Sequence, residues 1–68
     1  MTTNKTLIPA DVMDDEGQLK AIEYHYENGD FVFQALWDPR DEHTPEKIAA
    51  FRKWADTMAK RLDNKNGV

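Results

Sequence analysis

The sequence predicts an α+β domain in which an antiparallel β-hairpin is packed by one C-terminal amphipathic α-helix. Two observations carry this prediction. The Asn-Gly pair at residues 28–29 lies between two runs rich in apolar residues, and apolar residues recur at helical spacing from Ile48 to Leu62. A chain of 68 residues has the length of a single domain, taken here as residues 1–68. We expect the hairpin over residues 19–38 and the helix over residues 45–63.

A domain of this size has a marginal hydrophobic core, which rarely supplies more than about 3–5 kcal/mol of net stability. The chain has no cysteine, so disulfides and cysteine-ligated zinc cannot reinforce the core. Close packing or a partner must do so. The lack of cysteine fits a reducing compartment. Because the sequence also shows no apolar run of signal-peptide or membrane-span length, we expect a cytoplasmic protein with no membrane partner.

The first 18 residues are predicted to be the least ordered part of the chain. Residues 1–6 are polar and are expected to be frayed. The apolar pair Leu7-Ile8, which ends at Pro9, is a candidate short edge segment on the hairpin. A group of acidic residues that ends at Gly17 is typical of a turn, and its members are Asp11, Asp14, Asp15 and Glu16.

The hairpin prediction depends on Asn28-Gly29, because a type I′ turn requires two residues that tolerate a positive φ. With these two residues at the turn centre, residues whose numbers sum to 57 face each other. On the predominantly aromatic and aliphatic face the pairs are Tyr26–Phe31, Tyr24–Phe33, Ile22–Ala35 and Lys20–Trp37. On the opposite face they are His25–Val32, Glu23–Gln34 and Ala21–Leu36.

The helix prediction starts from Thr44 as N-cap, Pro45 at the first helical position and Glu46 near the positive helix end. The apolar stripe spans an arc of about 140°. Its members are Ile48, Phe51, Ala55, Met58 and Leu62, with Trp54 and Ala59 at its margins. Asn64, Asn66 and Gly67 provide stop signals. We expect this stripe to cover the hairpin face formed by Ile22, Tyr24, Tyr26, Phe31 and Phe33.

Charge divides the chain into two unlike parts. Residues 1–44 carry three basic and ten acidic side chains, a net charge of −7, whereas residues 45–68 carry six basic and three acidic ones, a net charge of +3. The acidic part argues against a simple nucleic-acid binder, which usually carries a strongly basic domain. It offers instead a candidate surface for a protein partner, with the carboxylates of Asp14, Asp15, Glu16, Asp38, Asp41 and Glu42.

Patterns typical of catalysis or metal binding are missing from the sequence. The chain contains neither serine nor cysteine, and its three glycines are isolated, so no phosphate-binding loop is indicated. The acidic stretch lacks EF-hand spacing, and His25 and His43 lack the spacing of paired zinc ligands. A core this small also leaves little room for a substrate pocket. We therefore predict a non-enzymatic protein with no metal, cofactor or small-molecule substrate.

One helix can cover only one face of the predicted hairpin, so apolar side chains on the other face are left uncovered. A two-stranded sheet also leaves two unpaired edges. Trp37, at the open end of the hairpin, and Trp54, at the border of the helix stripe, are candidate aromatic contacts. We expect the protein to bind another protein through its acidic surface or a hairpin edge, or to bind a second copy as a homodimer. Its size, charge and lack of catalytic residues are those of the accessory proteins by which phages and mobile elements inhibit or redirect host machinery. This comparison is an analogy.

An alternative function uses the basic side of the helix. Arg52, Lys53, Lys60 and Arg61 could form a recognition face for DNA or RNA in a small regulator. The same residues are also explained as intrahelical ion pairs on a solvated face, because Asp56 lies between the two lysines. We regard nucleic acid as the less favoured partner.

Overall fold

A computed structural model describes residues 6–66, with side chains as far as residue 64. Within this range the chain forms three strands, β1 (Ile8–Met13), β2 (Leu19–His25) and β3 (Phe31–Leu36), followed by one helix, α1 (Pro45–Asn66). The strands make an antiparallel sheet in the order β1-β2-β3, and α1 packs against one face. The predicted α+β class, with a β-hairpin and one C-terminal helix, is confirmed.

The N-terminal segment contributes a complete third strand. β1 pairs with β2 along its length and includes Asp11, which was predicted to lie in a turn. The turn begins instead at Asp14, whose Oδ1 accepts the N–H groups of Glu16 and Gln18, each at 2.9 Å. Gly17 completes it with a φ of +79°. Residues 1–5, most of the segment expected to be frayed, lie outside the described residues.

The turn between β2 and β3 differs from the predicted type I′ turn. The N–H of Gly29 donates to the carbonyl of Tyr26 at 2.8 Å, and the N–H of Tyr26 donates to the carbonyl of Asp30 at 2.9 Å. Gly29 has a φ of +94°, whereas Asn28 has no positive φ. This is the pattern of a three-residue loop, in which a type I turn is followed by a glycine in the left-handed region.

The longer loop changes the register next to the turn. The predicted pairs away from the turn are observed, namely Tyr24–Phe33, Ile22–Ala35, Glu23–Gln34 and Ala21–Leu36. His25 pairs with Phe31, so the predicted pairs Tyr26–Phe31 and His25–Val32 are wrong. Phe31 consequently does not lie on the helix-covered face. It is 59% exposed and contacts the His25 ring, while Val32 packs against the core.

The helix begins where the sequence predicts. Thr44 Oγ1 accepts the N–H of Lys47 at 3.2 Å, and Pro45 is the first helical residue. The helix continues to Asn66, beyond the predicted end at residue 63, and Gly67 lies outside the described residues. A helix of 22 residues is about 33 Å long. Because this exceeds the length of the strands, the molecule is elongated, measuring 44 × 20 × 15 Å.

The core lies between α1 and the helix-facing side of β2 and β3. Ile22, Tyr24 and Ala35 of the sheet and Ala55 and Ala59 of the helix are all 3% exposed or less. Small side chains at these helical positions allow the helix backbone to lie close to the sheet. Leu19 and Trp37 extend the same cluster toward the loop that precedes α1.

Two polar contacts fix the position of α1 across the sheet. Arg52 donates to both carboxylate oxygens of Asp11 on β1, at 2.8 and 2.9 Å. Near the opposite end of the helix, the hydroxyl of Tyr26 donates to Asp63 at 2.6 Å. The helix therefore runs from the loop after β3 toward the turn between β2 and β3, with Arg52 directed toward β1.

Candidate functional site

Among the described residues, no strand pairs with the outer edge of β3, and this edge carries no charged side chain. The sequence of β3, FVFQAL, contains neither a charged residue nor proline. The N–H of Trp37 donates to the carbonyl of Lys20, and antiparallel pairing alternates along the strand. The backbone groups of Gln34 and Leu36 therefore face away from β2. These groups are free to pair with an additional strand, as exposed sheet edges do.

The outer edge of β1 is protected by its sequence. Pairing with β2 turns the backbone of Ala10 and Val12 inward, so Pro9 and Asp11 occupy the outward positions. Pro9 has no N–H to offer a further strand, which is the usual position of proline in a sheet. The side chain of Asp11 is held by Arg52. The two sheet edges thus differ: β3 keeps the outward N–H groups of Gln34 and Leu36, whereas β1 lacks the one at Pro9.

An apolar groove lies beside the free edge of β3. It has a volume of about 330 Å³, and its apolar walls are formed by Leu36, Trp37, Ala50, Phe51 and Trp54. Three charged side chains, Asp38, Asp41 and Lys47, complete its lining. At about 100° per helical residue, Arg52 and Trp54 lie on opposite flanks of Ala55. Since Arg52 reaches β1, the groove beside Trp54 opens on the far side of the sheet, beyond β3.

Among the described residues, five large apolar side chains are exposed: three lie on or beside β3, and Ile8 and Met13 lie on β1. The most exposed large ones are Leu36 at 66%, Phe31 at 59% and Trp54 at 51%. Trp54 contacts Phe33 edge-on, with ring centroids 6.3 Å apart, and stacks on Phe51 at 6.2 Å. Trp37 is only 8% exposed, so it belongs to the core and forms one wall of the groove. Of the two tryptophans predicted as contacts, Trp54 has the accessible ring.

The antiparallel fold brings the six predicted carboxylates to one end of the sheet. The turn after β1 carries Asp14, Asp15 and Glu16, and the loop after β3 carries Asp38, Asp41 and Glu42. Some of these carboxylates have local structural roles. Backbone hydrogen bonds, chiefly from Gln18, lower the pKa of Asp14, and hydrogen bonds from Arg40 lower the pKa of Asp38. Asp15, Glu16, Asp41 and Glu42 are exposed. We call this region the acidic end.

A second groove, of about 280 Å³, lies at the acidic end between Asp14, Lys20 and Pro39. His43 lines it, but the ring is already engaged: Nε2 is 2.7 Å from the carbonyl oxygen of Leu19, and the ring stacks on Trp37 at 4.4 Å. His43 therefore anchors the loop to the sheet. In the described part of the chain, no group of three or more histidine and carboxylate side chains has the arrangement needed to hold a metal ion.

The four basic residues predicted for nucleic-acid binding do not act as one free surface. Arg52 is paired with Asp11, and Lys60 Nζ lies 3.0 Å from Asp56. Lys53 and Arg61 are exposed. Half of the predicted basic face is therefore paired within the molecule. Lys60–Asp56 is an intrahelical pair of the expected kind, whereas the partner of Arg52 lies on β1.

The groove and the choice of edge were not predicted from the sequence. The available signal was the contrast between β3, which has no charge, and the N-terminal segment, which contains Pro9 and Asp11. This contrast becomes informative only once residues 8–13 are known to form a strand.

Within residues 6–66, no helix combines the length and apolar character needed to cross a membrane. The chain matches no protein-family model, and no curated protein or solved structure is significantly similar to it.

Proposed function

We propose that this protein is a small, non-enzymatic accessory protein that binds another protein by accepting an extended segment at the free edge of β3. The observation that carries the proposal is the contrast between the two sheet edges. The β1 edge lacks an outward N–H at Pro9, whereas β3 offers the backbone groups of Gln34 and Leu36 beside an apolar groove. In strand addition, backbone hydrogen bonds supply affinity and pockets for alternate side chains supply specificity.

The acidic end adds an electrostatic component to this mode of binding. It adjoins the end of β3, so it would attract partners with basic segments and speed their association. A partner held in this way has one of its segments occupied, and the expected consequence is inhibition or modulation of that partner, as with the accessory proteins of phages and mobile elements.

The lack of cysteine supports a reducing location, and we propose the cytoplasm.

Self-association through the same edge is less favoured. If two copies paired antiparallel through β3, the loop with Asp38, Asp41 and Glu42 of each copy would lie beside the turn with Glu27 and Asp30 of the other. Each chain also carries a net charge of −4. Like charges placed side by side oppose pairing. A basic protein partner is therefore favoured over a homodimer.

The test compares two substitutions at one residue. Gln34→Pro removes an outward N–H from β3, and Gln34→Thr loses the same side-chain contact to Glu23 but keeps the N–H. Each tagged protein would be used to capture partners from nuclease-treated bacterial lysate, with circular dichroism as a check on folding and light scattering to give the mass.

A stoichiometric protein that is retained by the wild type and by Gln34→Thr, but lost by a folded Gln34→Pro variant, would support strand addition at β3. Retention by Gln34→Pro would refute that mode. Capture that disappears with nuclease would favour nucleic-acid binding through Lys53 and Arg61. A dimer without a companion protein would favour self-association.

A further inference from the structure

The groove beside β3 has the chemistry of a site for one cationic side chain. Resting on the proposed strand addition, we propose that the added segment inserts an arginine into this groove. The guanidinium would stack on Trp54 and pair with Asp41, while its methylene groups contact Ala50. The partner segment is thus extended, mainly apolar and β-forming, with an arginine on the side that faces α1.

The position of the groove follows from sheet geometry. A strand added to β3 lies about 4.8 Å beyond it, and its side chains alternate between the two sheet faces. Every second side chain therefore points toward α1. The groove lies on that side, between the end of β3 and the helix residues Ala50 and Trp54. One side chain of the added strand enters it.

Aromatic and carboxylate groups select the type of side chain. Trp54 is half-exposed and is stacked on Phe51, with an interplanar angle of 28°, so its ring is held in place. Arginine stacks on aromatic faces and buries its methylene stem on apolar surface, while its planar donors pair with carboxylates. A groove with an apolar wall next to a carboxylate therefore suits an arginine side chain better than a purely apolar side chain.

Asp41 is the carboxylate that is available to a ligand. Asp38 already accepts two side-chain hydrogen bonds from Arg40, at 3.2 and 3.1 Å. The side chain of Asp41 is 53% exposed, and Lys47 Nζ lies 4.0 Å from its Oδ1, the limit of an ion pair. Lys47 therefore competes weakly with an incoming cation. Removing Lys47 should strengthen arginine binding, an effect that damage to the fold would not produce.

A second copy of this chain cannot supply the required side chain from its edge strands. β1, with the sequence IPADVM, and β3, with the sequence FVFQAL, contain no basic residue. The occupant that we propose is a segment of another protein, with a basic side chain that complements Asp41.

The probe is a displayed library of random nine-residue segments selected on the full-length protein. We expect the enriched segments to alternate β-branched or aromatic residues with one recurrent arginine. A synthetic peptide of the enriched sequence would then be compared with versions carrying lysine, citrulline or phenylalanine at the arginine position. Dissociation constants would be measured by anisotropy of a fluorescent label. The arginine peptide should bind about tenfold more tightly than the neutral citrulline peptide.

Variants of the protein test each wall of the groove. Asp41→Asn should abolish the preference for arginine over citrulline, and Lys47→Gln should tighten arginine binding. Ala50→Trp should block the groove, whereas Ala49→Trp, which is exposed and lies outside the groove lining, is its matched control. Glu42→Gln, in the same loop but outside the lining, should leave the preference intact.

Two failures can be told apart. Equal or tighter binding of the citrulline or phenylalanine peptide, or an unchanged preference in Asp41→Asn, would overturn the arginine site. Strand addition itself would survive that result if Gln34→Pro still weakened the binding of every peptide relative to Gln34→Thr. Peptides that bind Gln34→Pro and wild type equally would overturn the proposed function and the arginine site together.

Discussion

At the residue scale, Gly29 is the residue of the hairpin turn that must adopt a positive φ. Its φ is +94°, and a Cβ placed there would meet no atom within 4 Å. The cost of a substitution is therefore the cost of the backbone conformation alone. Asn28 has another role: its Oδ1 accepts the N–H of Asp30 at 3.0 Å, which stabilises the loop without a positive φ.

Gly29→Ala is expected to lower the free energy of unfolding by about 1–2 kcal/mol, because alanine resists the left-handed region. Gly29→Asn should cost less, since asparagine adopts this region more readily than other non-glycine residues. Urea denaturation of the three proteins measures the difference. If alanine and glycine gave equal stability, the turn in solution would not require a positive φ at residue 29.

The Asp11–Arg52 pair predicts a specific dependence of stability on pH. Hydrogen bonds from Arg52 hold the pKa of Asp11 below its ordinary value of 3.8, although partial burial opposes the shift. Because the folded-state pKa is depressed, the pair contributes its full stability at pH values above the ordinary pKa, which Asp11 has in the unfolded chain. The contribution is lost as the pH falls through the lower, folded-state value.

Asp11→Asn should therefore destabilise the protein at pH 7 by about 0.2–1 kcal/mol, the range for ion pairs that are partly exposed. The difference from wild type should disappear in strong acid, where Asp11 is protonated in both the folded and the unfolded state. Urea titrations at pH 7, 4 and 2.5 would follow it. Asp15→Asn, in the exposed turn, serves as a control for loss of one carboxylate. A constant difference at every pH would contradict the assignment.

At the scale of elements, α1 buries two alanines completely against the sheet. Ala55 and Ala59 are completely buried, so the interface has no room for a larger side chain at either position. Ala59→Leu is expected to lower stability by about 1–3 kcal/mol through overpacking. Ala49→Leu is the matched control, since it makes the same change on the exposed side of the helix. Thermal unfolding would compare the two variants, and equal melting temperatures would show that the interface is loosely packed.

The elements also show which features a sequence can reveal. The hairpin and the helix were predictable because each has a local signal, a turn dipeptide or a 3.6-residue period. β1 was reduced to Leu7-Ile8 because Pro9 and Asp11 are poor strand formers. Long-range pairing with β2 overrides that preference. The turn type was wrong because an Asn-Gly pair fits both a type I′ turn and a type I turn followed by glycine.

At the scale of the whole molecule, the third strand determines which strand edges of the sheet are exposed, and the proposed strand addition depends on this. Without β1, either edge of the hairpin could accept a strand. With β1 in place, β2 becomes the central strand and β3 is the edge that remains unprotected. The same topology places the turn after β1 and the loop after β3 at one end. Two acidic stretches that are separated by more than 20 residues in the sequence thus become neighbours in the structure.

Under the proposed strand addition, this arrangement should make the rate of association depend on the position of a charge. Glu42→Lys, at the acidic end, should slow association with the basic peptide selected above by about threefold at physiological salt and reduce its salt dependence. Glu27→Lys makes the same change in the turn between β2 and β3. This turn lies at the opposite end of the sheet, about 20 Å from the acidic end. That separation exceeds the screening length of about 8 Å, so the rate should change little. Stopped-flow anisotropy at several salt concentrations measures both variants. Equal slowing by the two substitutions would mean that only net charge matters, and the acidic end would then have no steering role of its own.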